Sequence, residues 1–416
     1  MKKIKQYERL HISDYLFTLF FIGLLLSTYL AYGEEYVVIC GGLSFFSNIK
    51  NGKTKVINDR IWILFIIYYL IVTIFGVILG FVDGKGILEF FVQYPILIFS
   101  IVAIIRESHS VENSMKVFKT FILISTIYGL YEAIVKHNIL PDIFSTPVMN
   151  RIEYMNSLIY KYQSSSLYLH YTYFGVVLLV SVAINMIYPY KNRFINFCFY
   201  TLSMLGLYFS KSRMCLLLAV VIFIYDFYKK DKITVKMLKR GLFIIFVFLI
   251  SVFIFWNPLM SAFGNIYGRF AIVKKYGFEY GSFGQRIGTL LRIPSYMVEH
   301  PLRGILGTGF LSIKLAFLDE YSYFQNYGIA DNQMTTFLIE VGIAGTLVAV
   351  IGIIKFFKKN RIKRSLSKYL MIIVLFSSIT LDVIGTIYIT VLVFLPLVLF
   401  YEYERKNNYV QPFRSK

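Results

Sequence analysis

Apolar residues in this chain gather into runs near the 20 or so residues that a helix needs to cross the hydrocarbon of a bilayer, and short polar intervals separate them. About twelve such runs are predicted, at 14–32, 36–49, 61–82, 87–105, 118–135, 167–188, 194–209, 214–228, 241–257, 332–354, 369–384 and 386–401. The second, seventh, eighth and last two are short or closely spaced, so ten or eleven crossings also fit. Two polar intervals are long, 136–165 and 258–332. Within the second, Phe263, Ile266, Tyr267, Phe270 and Val273 recur at helical spacing beside Arg269, Lys274 and Lys275, which predicts an amphipathic helix on the membrane surface. Ile287, Leu290, Leu291, Pro294, Met297 and Val298 predict another helix ending at His300-Pro301, kinked or broken at Pro294.

The pattern is that of an all-α polytopic membrane protein in three parts. Residues 1–257 form an N-terminal bundle of about nine helices with a loop at 136–165, residues 258–331 a large extracytoplasmic loop, and 332–416 the last helices and a basic tail. Composition agrees, because 57% hydrophobic residues, 18% aromatic residues and a mean hydropathy of +0.64 exceed what a soluble chain of 416 residues buries. The start, Met1-Lys2-Lys3 before an apolar run, resembles a signal peptide but has no small-x-small cleavage site, so a retained first helix is expected. Cys40, Cys198 and Cys215 lie in apolar runs without metal-ligand spacing, and they are expected to be packing residues.

The net charge of +20 would suggest nucleic acid in a soluble protein. Here alternation explains it: with a cytoplasmic N-terminus, thirty of the forty-three Lys and Arg residues fall in intervals on the cytoplasmic side and thirteen outside. Seven of those thirteen belong to the long loop. Both termini are therefore expected in the cytoplasm, with 258–331 outside and no nucleic-acid partner.

Chemistry is concentrated around the long loop. Arg213, in Ser210-Lys211-Ser212-Arg213, sits between two apolar runs; it is either a snorkelling anchor or part of an oxyanion clamp, since a guanidinium matches phosphate bidentately. Arg286, Arg292 and Arg303 could complete such a clamp. Gly304, Gly307 and Gly309 form either an ordinary turn or one whose N–H groups approach an anion. Asp331 and Asn332 precede a helix, where capping is the default role, and the carboxylate could alternatively take a proton from a sugar hydroxyl. His300 is an acid, a base or a turn residue. Glu340 and Asp382, acids inside apolar runs, are functional candidates or partners of neighbouring helices. Gly342-Ile343-Ala344-Gly345 reads as small-residue helix packing. The aromatic stretch 152–162 could stack on sugar rings or form an interfacial belt.

Taken in order, Ser210-Lys211-Ser212-Arg213, Arg286, His300-Pro301-Leu302-Arg303-Gly304-Ile305-Leu306-Gly307-Thr308-Gly309-Phe310, Asp331-Asn332 and Gly342-Ile343-Ala344-Gly345 resemble the O-antigen polymerase and ligase family of membrane glycan transferases. The resemblance covers about residues 200–350. It implies a GT-C-like, metal-independent and cofactor-free glycosyltransferase of the plasma (inner) membrane. Its donor and acceptor would be undecaprenyl-diphosphate-linked glycans, with the bilayer and other polysaccharide-export components as further partners. By the same resemblance Arg213 and Arg286 would hold the diphosphate; with Asp331 they are the catalytic candidates, and Arg292, Arg303, His300, Asn332 and Gly307 are the substrate-binding candidates. Ligases of the family carry His where this chain has Asp331, which points toward a polymerase (Wzy-type) rather than a ligase. A transporter or lipid-linked glycan flippase is the reading from another class.

Overall fold

The structure is a computed structural model and describes residues 10–30, 39, 42–43, 46, 59–144, 150–157, 162–229, 274–275, 281–313, 332–362, 364–379, 381 and 386–404. The predicted runs at 36–49 and 241–257 and the amphipathic segment 263–273 lie largely or wholly outside the described residues, as do Cys40, Asp331 and Asp382. The described residues are helical throughout their ordered elements. In chain order these are α1 (Leu16–Ser27), α2 (Arg60–Ile78), α3 (Gly84–Glu107), α4 (Val111–Val135), α5 (Asn150–Ser157), α6 (Tyr171–Ile187), α7 (Arg193–Ser210) and α8 (Arg213–Lys229). After them come α9 (Gly281–Glu299), α10 (Pro301–Leu306), α11 (Gln333–Lys359), α12 (Leu366–Ser377) and α13 (Ile387–Glu404).

Among these, α2, α3, α4, α11 and α13 are long and apolar enough to cross a membrane, with α1, α6 and α12 as shorter apolar helices. The protein is a helical membrane protein. Local sequence explains where its helices start. The side chains of Asp59, Asp83, Ser110, Asn192, Asn332 and Ser365 each accept a hydrogen bond from a first-turn N–H of the helix they precede, satisfying donors that have no intrahelical partner. The helix predicted from 287 to 298 is α9, and it runs through Pro294 and ends at Glu299.

The core is built around α6, whose Phe174, Val177, Leu178, Leu179, Val182, Ala183 and Ile184 are fully buried among α4, α7, α8 and α12. By contrast, α2 turns a long face outward, with Leu64, Ile67, Ile71 and Ile74 exposed. In a membrane that face meets lipid, which is as apolar as the side chains.

Polar contacts sort the helix ends onto two faces. At one face Lys359 pairs with Asp59, Arg106 with Glu402 at 2.5 Å, and Arg364 with Asp226 at 2.7 Å. There too Ser110 N–H donates to Asp14 at 2.9 Å, and Asn360, Ser365, Ser367 and Glu404 share one network. Buried Lys119 donates near this face to Asn185 Oδ1 at 2.6 Å and Tyr188 O at 2.7 Å. The other face holds the ends of α1, α2, α4, α7 and α12 and the starts of α6, α8, α11 and α13; it is called the Arg213 face below.

Candidate functional site

Three cations gather on the Arg213 face. Arg213 opens α8 and is exposed, and no described residue pairs with it. Lys211, two residues earlier, ends α7 in a left-handed conformation (φ 52°, ψ 19°). Lys136 ends α4 in the same way (φ 57°, ψ 35°). A left-handed backbone costs a non-glycine residue about 1–2 kcal/mol, and both helix ends are closed locally, by Lys136 N–H to Glu132 O and Lys211 N–H to Tyr208 O. Local desolvation, and after it the positive charge of Lys136, lowers the pKa of Lys211. The two ammonium groups therefore feel each other, and an anion arriving between them would relieve the repulsion.

The segment beneath these cations is clamped by a residue that the sequence reading did not single out. Glu132, fully buried in the last turn of α4, accepts from the backbone N–H groups of Ser165 at 3.0 Å and Ser166 at 2.6 Å. It also accepts from Tyr162 Oη at 2.7 Å and Ser164 Oγ at 3.1 Å. Burial, and then the charge of Glu132, pushes the Tyr162 hydroxyl well above the usual phenol range, so it remains a donor. Ser164 N–H donates to Phe209 O at 3.2 Å, joining the clamp to α7 two residues before Lys211. The signal in the sequence is an acid closing an apolar run, followed some thirty residues later by Ser164-Ser165-Ser166. Of the aromatic stretch 152–162, Tyr154 is exposed while Ile152 and Tyr162 are buried.

The glycine-containing segment takes an unexpected position. Instead of lying over the bundle, Gly307 to Leu311 is inserted between α2 and α11 at mid-helix level. Thr308 N–H donates to Ile339 O at 3.0 Å and Gly309 N–H to Glu340 O at 2.9 Å. Phe310 N–H donates to Thr73 Oγ1 at 3.2 Å, and Leu311 N–H to Glu340 Oε1 at 2.7 Å. Tyr68 Oη donates to Leu306 O at 2.6 Å, and the Phe310 ring packs on Tyr69, Phe90 and Tyr94.

Here α11 is broken. Gly342 has φ 63° and ψ −174°, and the carbonyls of Ile339, Glu340 and Val341 that a straight helix would use are taken by the inserted segment and by Tyr68. A Cβ on Gly342 would lie 2.6 Å from Gly307 N, and one on Gly307 (φ 93°) 2.6 Å from Val341 C. The Gly342–Gly345 stretch thus combines a break at Gly342 with close packing, since Gly345 faces the Tyr68 ring. Glu340 is a partner of neighbouring elements.

The predicted site residues fall into groups. Gly307 N–H donates to Arg303 O at 2.7 Å. Arg292 makes a bidentate pair with Glu299 at 3.2 and 2.9 Å. The Arg303 guanidinium lies over the Phe81 ring, 4.4 Å from its centre. His300 packs beside Tyr296, with ring centres 5.2 Å apart. Asn332 caps α11, accepting from Met334 N at 2.9 Å and Thr335 N at 3.3 Å, next to α12 through Gln333 N–H to Leu381 O at 3.0 Å. Arg286 belongs to α9, but its side chain, like Asp331, lies outside the described residues. No hydrogen bond or ion pair joins Arg213 to α9, α10 or Asn332 among the described residues. No group of three metal-ligating side chains occurs among them either. No protein-family model matches the chain, and no curated protein matches it.

Proposed function

We propose that the protein is a membrane glycan polymerase that joins undecaprenyl-diphosphate-linked oligosaccharide repeat units on the outer leaflet, by a metal-independent transfer with a GT-C-like arrangement of about twelve spans. The observation that carries this reading is the cationic group Lys136, Lys211 and Arg213 at one end of the bundle, with Arg213 unpaired among the described residues. As a glycosidic bond to a diphosphate breaks, negative charge grows on the leaving group, and a fixed cation stabilises that state more than the ground state. Helix parity supports the span count. The chain leaves α1 on the Arg213 face and enters α2 on the other, and it leaves α8 on the far face before Arg303 meets Phe81 beside the Arg213 face. With the apolar runs at 36–49 and 241–257 read from the sequence as one span each, the total is twelve, and the basic residues of the Lys359 face make it the cytoplasmic one. The membrane is then the plasma (inner) membrane.

A second reading, a lipid-linked glycan flippase, is favoured by the broken α11 with its inserted segment, since discontinuous helices at mid-membrane are a transporter feature. A ligase using a different acceptor is the third. Purified protein in vesicles supplied with lipid-linked repeat units separates them. A ladder of lengthening products supports the polymerase, one transfer to a foreign acceptor the ligase, and transbilayer movement without chemistry the flippase.

A further inference from the structure

We infer that residues 301–313 form a re-entrant membrane element, and that the outward face of α10 contacts the acyl chains of the leaflet on the Arg213 side. Depth is the first observation. Tyr68, bonded to Leu306 O, lies ten residues before Ile78 at the end of α2, about 15 Å at 1.5 Å per residue. Gly342, against Gly307 N, lies nine residues inside α11, about 14 Å down. Both helices independently bring the turn to around half the thickness of a hydrocarbon core of about 30 Å.

Backbone satisfaction is the second. Irregular backbone survives at that depth where protein satisfies its polar groups, and the N–H groups of Gly307, Thr308, Gly309, Phe310 and Leu311 all donate within the protein.

The third is the exposed face itself. Leu302, Ile305 and Leu306 are 73%, 50% and 49% exposed, while Gly304 between them packs on Met297. Tyr68 of α2 holds the end of α10 through Leu306 O, and α2 carries outward apolar residues of its own, so the exposed α10 face belongs with the lipid-facing surface of the bundle. Arg303 fits the same placement, because its guanidinium reaches toward the α2–α3 turn and rests on Phe81, an outward-directed cation on an apolar stem. Lipid acyl chains are therefore the occupant of this face.

The test uses full-length protein in which Trp62 and Trp256 are replaced by Phe, with Leu302→Trp or Ile305→Trp as reporter, in phosphatidylcholine vesicles. Lipids brominated along the acyl chain are expected to remove most of the reporter's emission, and aqueous iodide to leave it unchanged. Quenching by iodide and not by brominated lipid would overturn the inference, as would protection from both, which would mean that protein covers the face. A spin label on Leu302→Cys, in a chain whose other cysteines are replaced by Ser, gives a second measurement that adds no bulk to a packed position. Relaxation by dissolved oxygen exceeding that by a water-soluble nickel chelate is expected, and the reverse order would overturn it. Neither measurement depends on glycosyl transfer, so failure here leaves the polymerase reading to be judged by its own ladder.

Discussion

The Glu340 carboxylate accepts a hydrogen bond from Tyr69 Oη at 2.5 Å on one oxygen and from Leu311 N–H at 2.7 Å on the other, tying α11, α2 and the inserted segment at one buried point. A charge is not essential to this tie. In Glu340→Gln the amide oxygen can accept from Leu311 while the amide N–H donates to the Tyr69 oxygen. Glu340→Ala removes the acceptor of both hydrogen bonds, at about 1–3 kcal/mol for a buried donor that loses its acceptor. With Ser312→Cys as reporter, Glu340→Ala is expected to expose residue 312 to a thiol reagent, whereas Glu340→Gln keeps it protected. Equal reactivity in both variants would remove this role.

Glu132 should behave in the opposite way. Backbone N–H groups from Ser165 and Ser166 address its two oxygens separately, so an amide at this position must turn one N–H against another. Glu132→Gln is expected to destabilise the protein by about 1–3 kcal/mol, read as a lower midpoint of thermal unfolding in detergent. An unchanged midpoint would contradict the clamp.

Gly342→Ala and Gly307→Ala each combine a positive φ, about 1–2 kcal/mol for a residue with a Cβ, with a collision against backbone that has nowhere to move. Both are expected to free residues 301–313, detected as new protease cleavage there in detergent-solubilised protein. Gly84→Ala, whose Cβ meets open space, is the matched control and should cleave like the wild type.

For the cationic group, Arg213→Ala is expected to lower polymer formation by about 10² to 10³ without changing the amount of protein in the membrane. Lys211→Ala should cost less, because an ammonium lacks the planar fork of donors with which a guanidinium meets phosphate bidentately. Full-length ladders from the Arg213 variant would end the clamp reading.

The helices were legible in the sequence because each run of 167–188 or 332–354 reports its own burial through local composition, and Asn332 advertised its cap. The position of residues 301–313 was not. Arg303-Gly304-Ile305-Leu306-Gly307-Thr308-Gly309 reads as a polar, glycine-containing loop, and what draws it into the bundle lies more than two hundred residues earlier, in Tyr68, Thr73 and the space beside Gly76. Periodicity carries no information about such pairings. The proximity of the lysines at 136 and 211, far apart in the sequence, is a tertiary property. Of the kink or break predicted at Pro294, a break does not occur, since α9 continues through it.

The inserted segment also sets an order of events during synthesis. Its seat on one side is α2, made long before it, but the carbonyls of Ile339 and Glu340 that hold Thr308 and Gly309 follow it by some thirty residues. At about 5–20 residues per second, the N–H groups of Thr308, Gly309 and Leu311 wait on the order of seconds without these partners before α11 arrives. A chaperone or the insertion machinery has that interval in which to shelter them, and a ribosome stalled just before Ile339 would hold the protein with its re-entrant element undocked.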